Sequence, residues 1–514
     1  MGATYGGSFY KDRALLVQVV SAARQDWAHS MPAAQPSLRR ITHRPGWRAA
    51  SHAAVGLAAA LGACTVGPDY RAPTLVELKV PAQFTEVPAY AQDVDLARWW
   101  AAFDDPTLTS LMQRGLAANL DIDEAGARVR AARANLRGVR GSLLPALEAS
   151  ASGGRTVGGG FIPDRDSYQA GLDAAYEVDL FGGGRRAVET ARANAEGAEA
   201  SLRSVQLTVA GEIALNYFDA REAQERLRIA TETLATLDET VEIVGWRQRA
   251  GLVGAIDLEQ AQQLRAQTAA GIPPLETAFA AAANRLAVLL GESPGTVTAL
   301  LAETAELPSP PEAQPAAIPA DVVRRRPDVA VAERALAGET ARIGVEAAQL
   351  YPALRLSGSF SGSGRTVSAV QDSAVGFLLA GITAPIFRGG QIRAAVEAQR
   401  ATAAGAFSAY RRTVLTALEE VENALVSTRS AQTRETRLAS AEASARVAAE
   451  LARIQYRSGR IDFQSLLDAE RTLLSSQEAL AAARVARAAA AVQLYKALGG
   501  GWQAAPMPAS LTAR

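Results

Sequence analysis

The chain has 514 residues, with 53 basic and 53 acidic side chains and a formal net charge of zero. That balance lacks the clustered basic excess by which nucleic-acid binders show themselves. A single cysteine, Cys64, excludes an internal disulfide framework and a thiolate metal cluster.

The three histidines, His29, His43 and His52, all precede Cys64. A chain cut there keeps no imidazole, the commonest general base and metal ligand near neutral pH, so composition argues against an enzyme. Seven basic and two acidic residues lie before Cys64, giving that segment +5 and the remainder −5. A basic stretch, a short apolar core from Ala53 to Leu61 and then small residues read as a secretory signal. The core is too short to span a bilayer. Residues 1–30 do not read as part of a signal, and a start at Met31 gives a leader of more usual length. Leu61-Gly62-Ala63-Cys64 resembles a bacterial lipobox. By that resemblance Cys64 becomes the lipidated N-terminus, its covalent lipid is the only cofactor-like group, and Thr65, in place of an aspartate, directs the chain to the outer membrane. The alternative is a cysteine that follows an apolar run by chance.

Beyond Cys64 the second half echoes the first, with matched segments starting 206–208 residues apart. "SLLPALEASASGGRT" (142–156) matches "QLYPALRLSGSFSGSGRT" (349–366), and "RQRAGLVGAIDLEQAQ" (247–262) matches "QYRSGRIDFQSLLDAE" (455–470). Two structural units of one kind follow from such a period. The expected division is a signal region 1–63, an extended segment 64–106, a first repeat 107–300, a linker 301–319, a second repeat 320–500 and a tail 501–514. The linker is proline-rich and cannot be helical.

Each repeat opens on a helical stretch, 107–141 or 319–350, which a Leu-Pro or Tyr-Pro step ends. Two β-like segments follow. In the first repeat Tyr168, Ala170, Leu172, Ala174, Tyr176, Val178 and Leu180 alternate with Gln169, Gly171, Asp173, Ala175, Glu177 and Asp179. Leu147, Ala149 and Ala151 alternate with Glu148, Ser150 and Ser152 before them. In the second repeat Leu354, Leu356 and Phe360 alternate with Arg355, Ser357, Ser359 and Ser361, while 375–385 is apolar on both faces and leaves its inward face open. Period-2 segments of about ten residues fit a transmembrane β-barrel, or else two ordinary surface hairpins. Four strands cannot close a barrel, which needs about eight, and open edges cannot sit in lipid, so several chains must share one.

A Gly-rich turn then opens a very long Ala/Arg/Glu/Leu-rich helix, 185–250 or 391–457, on the order of 100 Å if continuous. A short Gly loop reverses the chain into a second helix, 256–290 or 463–498. Helices of that length must pack along neighbours, and a tube of them encloses a wet conduit. The glycine triplets at 158–160 and 182–184 lack the Lys-Ser/Thr context of a phosphate loop. Trp99 and Trp100 read as packing anchors, and Arg324, Arg325 and Arg326 before Pro327 as a helix cap with equatorial packing.

"RWWAAFDDPTLTSLMQRGLAANLDI" (98–122) and "RRRPDVAVAE" (324–333) resemble signatures of the TolC-like outer membrane factors, in the NodT-type lipoprotein branch serving resistance-nodulation-division (RND) efflux systems. The resemblance covers nearly all of 64–500. It implies a mixed α and β membrane protein, in which a homotrimer pools four strands per chain into a 12-stranded barrel above a long periplasmic α-helical barrel. It implies a periplasmic adaptor and an inner-membrane RND transporter as partners, outer-membrane lipid as surroundings, and no nucleic acid.

By the same resemblance the helix-hairpin tips form a periplasmic gate. Asp257 stands where the family has a carboxylate linked to a tyrosine of the other hairpin, and Tyr456 supplies that tyrosine. Asp468 matches a carboxylate at the narrowest point, where three copies would crowd negative charge. Gln464 replaces a usual leucine constriction. Asp257 and Asp468 equally fit ordinary solvated helix ends. The reading that results is a passive exit duct for small molecules. A duct for protein secretion stays open, as does, in a different class, a periplasmic coiled-coil adaptor lipoprotein, which would lack the duplicated strand pairs.

Overall fold

A computed structural model describes residues 65–506, apart from 86–90, 93–94, 162, 304–306, 308, 312–313 and 316–318. The first helical stretch is two helices, α1 (Pro106–Ala118) and α2 (Leu120–Gly141). They break at Asn119, whose side chain leaves the helix to accept hydrogen bonds from the Asp121 and Ile122 amides and so caps α2. Two antiparallel strands follow, β1 (Ala146–Thr156) and β2 (Arg165–Val178), and then the hairpin of α3 (Gly183–Arg249) and α4 (Ala255–Leu289). The second half opens on α5 (Pro319–Arg325) and α6 (Pro327–Ala348), split where Pro327 forces the preceding residue out of the helical region. It continues with β3 (Ala353–Gly364), a short α7 (Val367–Asp372), β4 (Val375–Thr383), α8 (Gln391–Arg457) and α9 (Phe463–Ala497). Both long helices have 67 residues, about 100 Å each, and both shorter partners have 35. None of the described helices is long and apolar enough to cross a membrane.

The four long strands form one antiparallel sheet in the order β1-β2-β3-β4. Register sorts its faces. Val178 faces Leu354 and Leu354 faces Ile382; Tyr176, Leu356 and Ala380 make the next row, then Ala174, Gly358 and Leu378, then Leu172, Phe360 and Gly376. Leu147, Ala149 and Ala151 extend that apolar face across β1. The opposite face carries Glu148, Asp173 and Ser359 in one row, and Glu177 pairs with Arg355 at 2.9 Å. The register decides what the sequence left open in β4. Gly376, Leu378, Ala380 and Ile382 share the apolar face, and Val375, Phe377 and Leu379 lie on the polar one. Neither face packs on a core: Leu147, Phe360, Leu378 and Ile382 on the apolar face and Phe377 and Leu379 on the opposite one are all exposed. Among the described residues the outer edges of β1 and β4 pair with no strand. Unpaired backbone at both edges and bare apolar side chains are costly in water unless another surface covers them.

The short helix α7 was not expected. Thr366 caps it by accepting from the Ala369 amide, and it folds onto β3 at glycines. A Cβ at Gly362 would stand 1.9 Å from the Val370 carbonyl oxygen, so only glycine admits the approach.

The helices have a conventional core near mid-length. Trp99 stacks on Tyr495 with centroids 5.4 Å apart and meets Trp100 edge-on at 5.7 Å, while Phe103 packs on Phe218 at 5.2 Å. Leu108, Met112, Ile213, Leu286 and Val492 complete this cluster. Both tryptophans are buried anchors. Arg326 is buried too, held by Asp328 at 2.7 Å, Glu420 at 2.6 Å and the Ala497 carbonyl at 3.1 Å, which is a structural ion-pair network rather than an anion site. Its charge stays on because these acceptors outweigh its desolvation.

Candidate functional site

The far ends of the two hairpins form the candidate site. Each long helix stops at a glycine in the left-handed region, Gly251 with φ 66° and Gly459 with φ 72°. The closing hydrogen bonds match: Leu252 N–H to the Arg247 carbonyl at 2.9 Å, and Arg460 N–H to the Gln455 carbonyl at 2.9 Å. Glycine ends a helix this way at little steric cost. Asp462 caps α9 by accepting from the Ser465 amide at 2.8 Å.

One apolar cluster spans both hairpins. Leu237, Val244 and Leu264 from α3/α4 pack with Tyr456, Phe463, Leu466 and Leu467 from α8/α9. Two polar contacts join the long helices directly. The Arg247 guanidinium lies 4.6 Å from the Tyr456 ring centroid and donates to the Tyr456 carbonyl oxygen at 2.7 Å. Arg457 approaches Glu239 at 3.7 Å on the exposed side. Within the second hairpin, Arg453 and Glu470 form a two-pronged pair, with one arm at 2.7 Å and the carboxylate 3% exposed.

Of the residues singled out from the sequence, Tyr456 is buried at this junction, but the expected carboxylate link is not made within one chain. The Tyr456 hydroxyl is buried and has no hydrogen-bond partner among the described residues. Burial raises its pKa, Arg247 opposes that rise, and the Asp257 charge adds to it. Asp257 is half-buried in the first turn of α4, so its charge reaches the ring while the hydrogen bond belongs to no one. The contact that holds Tyr456 comes instead from Arg247, across 209 residues of sequence. No local pattern marks Arg247 as different from its neighbours Arg249 and Gln248.

Gln464 and Asp468 are brought together. Both are exposed on one face of α9, and the Gln464 amide donates to the Asp468 carboxylate at 2.9 Å. That is the one-turn spacing at which helix side chains meet. Cys64 lies outside the described residues. Beside it, Thr65 to Asp69 are firmly held: the Val66 amide donates to the Phe181 carbonyl at 3.0 Å, and Arg186 donates to the Val66 carbonyl at 3.2 Å and to Asp69 at 2.6 Å. This holds the segment where β2 ends and α3 begins. Among the described residues no three His, Cys, Asp or Glu side chains converge as metal ligands would.

The chain as a whole is similar to known proteins. The sequence profile of outer membrane efflux proteins matches residues 111–292 and again residues 318–500. The chain is 36% identical to Nodulation protein T of Rhizobium leguminosarum bv. trifolii over 378 residues, 71% of this chain and 79% of that protein. It is 34% identical to the pyoverdine export outer membrane protein OpmQ of Pseudomonas aeruginosa over 463 residues, 86% of this chain and 95% of that protein. The solved structure of the outer-membrane channel OprN superposes with a TM-score of 0.76 at 36% identity, covering 86% of this chain and 100% of the other.

Proposed function

The chain belongs to the outer membrane efflux protein family, as a TolC-like factor of the NodT type, and on that premise we propose that it is the outer-membrane exit duct of a tripartite RND-type efflux pump. It resides in the outer membrane of a Gram-negative bacterium and reaches into the periplasm. The observation that carries the duct reading is the sheet: four strands, apolar on one face, exposed on both, with two open edges. In lipid such a sheet is stable only when closed. Three copies supply twelve strands, and their helices continue the wall as a tube. A coiled-coil adaptor has no use for such a sheet.

In this reading the protein performs no chemistry. It spans two compartments, excludes lipid and stays shut at the tip until a periplasmic adaptor, driven with an inner-membrane transporter, moves the hairpins. Exposed Trp246, Leu252 and Ile256 at the first tip support a docking partner there. Asp468 with Gln464 lines the neck, and Tyr456 with Asp257 takes part in the contacts that hold it shut. Cys64 carries the lipid, and the residues that follow it, 65–69, are clamped where β2 ends and α3 begins. The expected division at 107–300 and 320–500 is the two-hairpin plan of one wall segment. Purified protein in a planar bilayer tests the function: discrete single-channel steps are expected, and a protein that leaves the bilayer silent refutes it. Incorporation of labelled palmitate, lost in Cys64→Ser, tests the anchor.

A further inference from the structure

Pro273 and Pro274 sit in the interior of α4. Neither has an amide hydrogen, so the Ala269 and Ala270 carbonyls lose their partners one turn earlier, and the rings crowd that turn. The Thr277 hydroxyl donates back to the Pro273 carbonyl at 2.9 Å, a contact that bends helices further. The matched helix α9 has Ala481 and Ala482 at these positions, and Ala481 is buried.

Packing differs in the same place. From Ala269 to Ala281 no residue of α4 is buried within the chain, whereas the matched stretch of α9 buries Leu480, Ala481, Ala483, Val485 and Ala488. Below the step, Ala261 and Leu264 join the tip cluster and Arg265 pairs with Asp238. Above it, Ala282, Ala283 and Leu286 join the central core and Arg285 pairs with Glu212 at 2.7 Å. A surface groove of about 570 Å³ runs beside Phe279, more than one turn beyond the prolines, between Leu227, Arg228 and Thr231 of α3 and Thr298 and Ala302. The helix is thus fastened at both ends and broken in its hydrogen bonding between them, with a stretch of 13 residues around the break of which none is buried within the chain.

We propose that the Pro273–Pro274 step is a hinge, and that the tip half of α4, from Ala255 to Ile272, moves on it as a rigid lever about 27 Å long. The lever carries Asp257 and the apolar tip residue Ile256. The two hairpins are therefore unequal. The break lies in α4 alone, whereas α9 has none. The inference deepens the gate reading given above and rests on it for its functional consequence.

Hydrogen exchange of the full-length protein in detergent tests the hinge. Amides of 269–281 are expected to exchange at least about ten-fold faster than those of 477–489. In Pro273→Ala/Pro274→Ala, which restores both donors, the difference is expected to shrink at least about three-fold, the remainder coming from the deeper packing of 477–489. Equal rates in the unmodified protein, or a difference unchanged by the double substitution, overturn the hinge. Single-channel recording of the same two proteins tests its coupling to the gate: the variant is expected to open several-fold less often. Slowed exchange with an unchanged opening frequency overturns the coupling. A silent unmodified protein counts against the duct reading instead, and the exchange ratio still decides the hinge.

Discussion

Arg247 caps the ring of Tyr456 at 4.6 Å and donates to the same residue's carbonyl at 2.7 Å, so one side chain ties the two long helices together at their far ends. Arg247→Ala removes both contacts. It is expected to destabilise the tip by about 2 kcal/mol, the usual worth of a cation over an aromatic ring with a charged hydrogen bond. Single-channel recording should show a leakier closed state. Arg247→Lys keeps the charge but not the planar fork and should recover only part of the loss.

Tyr456→Phe provides the contrast. The hydroxyl is buried without a partner, so deleting it changes thermal stability by less than about 0.5 kcal/mol or raises it. A larger loss would mean that the hydroxyl is bonded in the assembled protein, as the family resemblance implied.

Asp468 and Glu470 lie two residues apart and should behave differently. Glu470 is buried against Arg453, so Glu470→Ala leaves a half-buried guanidinium unpaired and should cost about 3 kcal/mol. Asp468 is exposed, so Asp468→Ala should cost under about 0.5 kcal/mol yet raise conductance and reduce cation preference. Chemical denaturation and bilayer recording of the two variants separate the roles.

Glu222 is held above the usual carboxylate range mainly by burial, with Arg226 opposing and Asp219 adding to the rise. A carboxyl with a raised folded pKa favours the fold when protonated, and this contribution disappears as pH rises through that pKa. Glu222→Gln should therefore be more stable than the unmodified protein at pH 7, with the difference shrinking towards pH 4. Thermal melts at the two pH values check the sign.

Much of this fold was legible because its periods are long and uniform. The sequence placed the great helices at 185–250 and 391–457, and they run Gly183–Arg249 and Gln391–Arg457. Glycine turns and a single hydrophobic period set those ends locally. Asn119 and Pro327 split two helices that had read as single stretches, although a capping asparagine and a proline signalled both breaks. The inward face of β4 was not legible, because Val375 to Ile382 is apolar throughout and only pairing with β3 assigns its sides. Arg247 was not legible either, since its partner is distant in sequence and arginine is common along the helix. Gln464 and Asp468 were singled out separately, and their one-turn spacing on α9 makes them a pair.

The central claim is that this sheet is one segment of a wall shared between copies. Native mass spectrometry of protein extracted from the outer membrane, with the detergent stripped in the instrument, tests it most directly. The predicted result is a particle of three chains, close to three times the mass of the mature chain. A particle of one chain that retains channel activity would contradict it.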